Sequence, residues 1–149
     1  MSLPSAIAVD TSVVIAALLS WHEHHEAAAV ALEAALADPA GAVVPLPTLL
    51  EAYAVMTRLP SPHRLRPGDA AEILHSSLAD RVRLATLGDA DGWPMLKSLA
   101  DAGVAGGRTY DAHIAACARA AAAGRLVTLN VRDFAAVAPD LDLVDPSAS

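Results

Sequence analysis

Lysine occurs once in this chain, at Lys97, and cysteine once, at Cys117. Aromatic residues make up only 3% of the sequence and charged residues 18%. One cysteine excludes a disulfide framework and any cysteine-based zinc site, and nothing argues for an oxidising compartment. With so few aromatics, the core must be built from small aliphatic groups packed closely. The longest apolar stretches are too short, or too interrupted by charge, to span a membrane. The N-terminus lacks the basic segment and cleavage pattern of a signal peptide. The reading is a soluble, cytoplasmic protein. Positive charge is also short: the formal net charge is −7, whereas binding a phosphate backbone usually calls for a basic surface. Either nucleic acid is not the partner, or bound cations and a local arginine cluster supply what is missing. The basic residues are almost all arginine, which grips phosphate bidentately as lysine does not.

What is abundant is alanine, in a chain of 149 residues that is 54% hydrophobic. That length fits one domain over 1–149, its last few residues loose. Apolar runs predict strands over Ala6–Val9, Ala42–Pro45, Val82–Thr86 and Leu126–Leu129, with a fifth edge strand over Leu141–Val144. Between them, alanine-rich periodic segments predict helices over Val13–Leu19, Glu23–Ala37, Thr48–Thr57, Arg66 to about Leu78, and Asp89–Ala102. A further helix starts at Thr109 or Asp111, runs through Ala123 and is stopped by Gly124. Asn130–Val137 reads as a turn with a short helix. Strands alternating with helices imply an α/β fold: three layers, α/β/α, around a central parallel sheet of about five strands.

Ligands of open parallel sheets bind at the carboxyl ends of the strands. Asp10 falls at the end of the first strand and Asp133 just after the fourth. Asp10 lies between Ile7-Ala8-Val9 and Val13-Val14-Ile15, where a carboxylate is costly unless it caps, pairs or coordinates a cation; cap and ligand stand level. Glu51 is the one acid in the apolar helix Leu49–Met56, which favours a site role over a solvated rim position. Asp111 opens another apolar helix, where the helix dipole alone would favour it. Asp133 could cap the short helix. Singly, three of the four acids have structural explanations; together they suggest one site. Four carboxylates packed together need a counter-charge, and oxygen-only ligands select hard cations, Mg²⁺ or Mn²⁺. Such ions hydrolyse phosphodiesters by acidifying water and stabilising the leaving oxygen.

These residues resemble a PIN-domain nuclease, and more narrowly the VapC-type ribonuclease toxins of bacterial toxin–antitoxin pairs. The matching pieces are Val9-Asp10-Thr11-Ser12-Val13-Val14-Ile15-Ala16-Ala17, Leu50-Glu51-Ala52-Tyr53 before Arg58-Leu59, Tyr110-Asp111-Ala112-His113-Ile114-Ala115-Ala116-Cys117-Ala118, and Leu126-Val127-Thr128-Leu129-Asn130-Val131-Arg132-Asp133-Phe134. Each motif alone is weak; the ordered set is specific and covers nearly the whole chain. The resemblance implies a five-stranded parallel sheet, a Mg²⁺- or Mn²⁺-dependent endoribonuclease, a homodimer, and neutralisation by a cognate antitoxin protein. It matches Asp10, Glu51, Asp111 and Asp133 to the acidic quartet, which is both catalytic and metal-binding, and Ser12 and Asn130 to supporting polar positions. Metal would be held mainly by Asp10 and Asp111, with Glu51 and Asp133 holding a second ion or orienting water. Arg58, Arg108 and Arg132 are the candidate phosphate contacts.

Rival readings fit less well. A haloacid-dehalogenase-like phosphatase wants a second acid where Ser12 stands, and a receiver domain wants a lysine after a late strand, whereas Lys97 sits in a helix. A catalytically inactive PIN-like module that binds RNA or protein is the non-enzymatic alternative. Three weaker signals remain. Trp21-His22-Glu23-His24-His25-Glu26 reads as a solvated helix start beyond the expected pocket, with a transition-metal site or contact to RNA or antitoxin as alternatives. Tyr53, Met56 and Leu59 face either the core or a partner. Trp93 is expected to pack locally.

Overall fold

The computed structural model describes residues 5–148. The chain runs β1 (Ala6–Val9), α1 (Thr11–Leu18), α2 (His25–Ala37), β2 (Ala42–Pro45), α3 (Leu46–Arg58), α4 (Pro67–Leu78), β3 (Arg83–Ala85), a 3₁₀ turn, α5 (Gly92–Asp101), α6 (Arg108–Ala120), β4 (Ala123–Val127), α7 (Val131–Ala135) and β5 (Asp142–Val144). The five strands form one parallel sheet in the order β3-β2-β1-β4-β5. Residues 145–148 close in a turn on Asp145; Ser149, the tip of the end expected to be loose, lies outside the described residues.

Side chains alternate across the strands, and both faces are covered. Val9 and Val127 enter one core with Val13, Val14, Met56 and Leu74, beneath α1 to α4. Ala8 and Leu126 enter the other with Ile114, Cys117 and Phe134, beneath α6 and α7. This is the three-layer α/β/α arrangement, with strands buried on both sides as parallel sheets require. Among the described residues, no helix is long and apolar enough to cross a membrane.

The chain leaves β1 for β2 and β3 on one side, then returns for β4 and β5 on the other. The strand order therefore reverses between β1 and β4, and a crevice opens at their carboxyl ends. Val9 pairs with Val127, so Asp10 and Thr128 emerge side by side.

Element ends depart from expectation by up to three residues, and the junction of α6 with β4 is the instructive case. The helix before β4 ends at Ala120, and the reversal is made by Ala122 at φ 61°, not by Gly124. Gly124 belongs to β4, where the pairing with β1 slips between Ala6 and Ile7. A Cβ on Gly124 would lie 2.9 Å from that of Ser5, so the close approach at this bulge requires glycine. Helix α5 also departs from expectation: it buries none of its residues, and Trp93 is 82% exposed.

Candidate active site

Asp10 is the fixed point of the crevice. It is 2% exposed and occupies the N-cap of α1, its Oδ1 accepting from the Val13 amide at 3.2 Å. The Ser12 hydroxyl also donates to Oδ1, at 2.7 Å, and the Thr128 hydroxyl to Oδ2, at 2.7 Å. Cap and candidate ligand are thus one residue. Each hydroxyl is oriented from behind: Ser12 Oγ accepts from the Leu129 amide at 3.0 Å, and Thr128 Oγ1 from the Asn130 amide at 2.9 Å. A hydroxyl has one proton, and here both are spent on the carboxylate. Burial pushes Asp10 up from 3.8 to about 6; the Ser12, Thr128 and Val13 hydrogen bonds pull it down, and nearby Glu51 adds to the rise.

The other acids are linked to it in sequence. Burial raises Glu51 above the ordinary carboxylate range, Asp111 raises it further, and Arg58 opposes. Burial also raises half-buried Asp111, in the first turn of α6, with Asp133 adding and Arg108 opposing. Asp133 is exposed in the first turn of α7, and the N-cap position there belongs to Asn130 rather than to it. Glu51, Asp111, Arg58, Tyr110 and His113 line a cavity of about 540 Å³.

The structure changes the standing of several residues. Glu51 is exposed, and its helix is apolar because Leu50 and Tyr53 face outward too, at 58% and 36% exposure. The outward pair borders an apolar groove of about 450 Å³ between α3 and α4, lined also by Leu49, Leu74, Leu78 and Leu84. Met56 is core. Asn130 supports the site through its backbone. Arg58, Arg108 and Arg132 enter no ion pair among the described residues; Arg58 acts on Glu51 and Arg108 on Asp111 through charge alone. Sequence reasoning overlooked Thr128; the signal was a lone hydroxyl on the strand that must neighbour β1.

The donor set suits a hard cation: carboxyl oxygens only, three of them held above their ordinary range by burial and by one another. As the side chains lie, no three His, Cys, Asp or Glu groups among the described residues are gathered closely enough to hold an ion.

Replacing Thr128 with valine tests the cradle. The loss of a hydrogen bond to a charged group, worth about 1.5–3 kcal/mol, should move the Asp10 titration up by about one pH unit or more. Carboxyl NMR titration of the metal-free protein reads this directly, and an unmoved midpoint would show that Thr128 does not hold the charge.

The PIN-domain family model matches residues 7–139. The chain is similar to ribonuclease VapC40 of Mycobacterium tuberculosis, at 42% identity over 128 residues, covering 85% of this chain and 87% of that protein. Among solved structures it resembles M. tuberculosis VapC20, a sarcin–ricin-loop-cleaving toxin, with TM-score 0.63 and 18% identity over 81% of this chain and 87% of that one. It also resembles Rickettsia felis VapBC2 bound to a promoter DNA fragment, with TM-score 0.65 and 20% identity over 93% of this chain and 96% of that one. At such identities the structural likeness shows the fold.

Proposed function

Because this chain belongs to the PIN-domain family, we propose that it is a Mg²⁺- or Mn²⁺-dependent endoribonuclease, the toxin of a toxin–antitoxin module. The observation that carries this reading is Asp10. A carboxylate 2% exposed, at the reversal of strand order, is coupled through Glu51 and Asp111 to Asp133. Such a charge is tolerated when something positive answers it.

Asp10 and Asp111 would hold the cation, with Glu51 and Asp133 completing the set. When bound, the cation supplies an acidified water and charge neutralisation at the phosphate. The residues do the rest. Ser12 and Thr128 keep Asp10 in one orientation. The Glu51 carboxylate, made more basic by burial and by Asp111, can accept a proton from the attacking water and orient it. Arg58, on the same cavity, offers a phosphate its guanidinium fork. With a net charge of −7, the metal-free protein should bind RNA poorly.

The partners in this reading are RNA, a second copy of the chain and a cognate antitoxin. We place the antitoxin segment in the apolar groove between α3 and α4. Leu50 lines both that groove and the acidic cavity, so a segment seated there reaches the acids.

Incubation of labelled RNA with the purified protein should give cleavage with Mn²⁺ and none with EDTA. The spacing of the carboxyl groups, too open to hold an ion as they stand, favours the second reading, a PIN-like module that binds RNA or protein without cutting. RNA bound but uncut with every divalent cation would establish it.

A further inference from the structure

We propose that Trp21, braced by His63, is a stacking subsite for one unpaired RNA base beside the bond to be cut. This rests on the ribonuclease reading and extends it to how the substrate is held. Expected to lie beyond the pocket, the segment beginning at Trp21 instead borders it. Trp21, His22, Val55 and Leu59 line a cavity of about 490 Å³ whose wall also includes Ser12 and Asn130. Ser12 Oγ is 2.7 Å from the Asp10 carboxylate, so the wall of this cavity includes the residue that braces Asp10. Helix α3 joins the two spaces: Glu51 and Arg58 line the acidic cavity, and Val55 and Leu59 line this one.

The chemistry of the wall is that of a base-binding site. The Trp21 and His63 rings stack with centroids 4.1 Å apart and planes at 25°. They come from two different loops, so the fold itself assembles the stack. An indole held in this way loses little freedom when a base docks on it, and every base has a face to stack. The His22 ring lies 6.0 Å from Trp21. Its Nδ1 accepts from the His24 amide at 3.1 Å, which leaves the proton on Nε2, available to a base edge. The Asn130 side chain makes no cap hydrogen bond, leaving an amide donor and acceptor for the same purpose.

The test uses Trp93→Phe, which leaves Trp21 as the only tryptophan, and keeps Asp10, with Ca²⁺ in place of Mn²⁺ so that a hard cation answers the acids without supporting cleavage. A single-stranded RNA hexanucleotide, titrated in, should quench Trp21 fluorescence and stay uncut. Its bases are then removed one at a time by abasic substitution. At one position, removal should weaken binding about tenfold, the scale of one base–aromatic stack, and abolish the quench. Read by anisotropy of end-labelled RNA, since these variants carry no tryptophan, the same removal should change nothing in Trp21→Ala and keep its effect in Trp21→Phe. In the cleaving protein that position should adjoin the cut. A flat scan in a protein that still cleaves with Mn²⁺ overturns the subsite, leaves the ribonuclease reading standing and gives the cavity to a protein partner. A wild-type protein that neither binds nor cuts RNA removes both.

Discussion

Asparagine at position 10 should abolish cation-dependent RNA cleavage and, in the absence of metal, make the protein harder to unfold above pH 6. The two effects share one cause. In the folded state Asp10 titrates near 6 against 3.8 for the free side chain, so the fold holds the proton longer than the unfolded chain does. Ionisation therefore works against the fold. The penalty is absent below about pH 4, grows as pH rises through 6, and is complete above it. The gap between 3.8 and about 6 corresponds to about 3 kcal/mol. An asparagine side chain is neutral throughout and has nearly the same shape; its oxygen can accept from Ser12 and Val13, and its amide can donate to Thr128. Thermal unfolding in EDTA at pH 7.5 should rise by roughly 5–10 °C over the wild type, with the two proteins converging near pH 4. Added Mn²⁺ should stabilise the wild type and leave Asp10→Asn unmoved. Cleavage should fall by about a thousandfold or more, as several kcal/mol of transition-state charge stabilisation disappear. Undiminished cleavage would remove Asp10 from the site. A variant less stable than wild type at pH 7.5 would mean that its hydrogen bonds outweigh the buried charge.

Phe134→Ala should be the most damaging single truncation for the fold. Phe134 is the only phenylalanine, is 1% exposed, and leads the fully buried side chains in volume. Helix α7 has five residues and buries only this one, so a single ring anchors the helix that carries Asp133. Truncation of a buried phenylalanine costs about 3–5 kcal/mol, a large share of the ~5–15 kcal/mol that holds a domain together. The urea midpoint should fall accordingly with an unchanged slope. Phe134→Leu, which retains most of the packing, should lose much less and keep cleavage. A loss below about 1 kcal/mol in the alanine variant would show that the surrounding small residues collapse into the space.

The elements were legible wherever hydrophobic periodicity was strong. Ala6–Val9 and Ala42–Pro45 are strands at the expected residues, because a short apolar run between turn signals is a local property. The end of α6 was not legible. An unbroken alanine stretch carries no stop signal, and Ala122 turns left-handed to bring β4 into pairing with β1. Glu51 was marked by its apolar neighbours, but for the wrong reason. A single acid among apolar residues reads as buried, whereas Leu50 and Tyr53 are exposed on a groove. Periodicity does not distinguish an apolar face that meets the core from one that awaits a partner.

Residue type and spacing determined the apolar α/β pattern and marked four acids as candidates within it, since both are written locally along each element. How unequal those acids are was settled by packing between elements. Asp10 is sealed and held by Ser12 and Thr128, while Asp133 stands in solvent and Glu51 lies on the open wall of the crevice with its carboxyl partly desolvated. That difference comes from the register of β1 against β4 and from the strand order, which pair residues far apart in the chain. The same long-range placement set Trp21 on His63 and carried Trp21 to the edge of the acidic crevice.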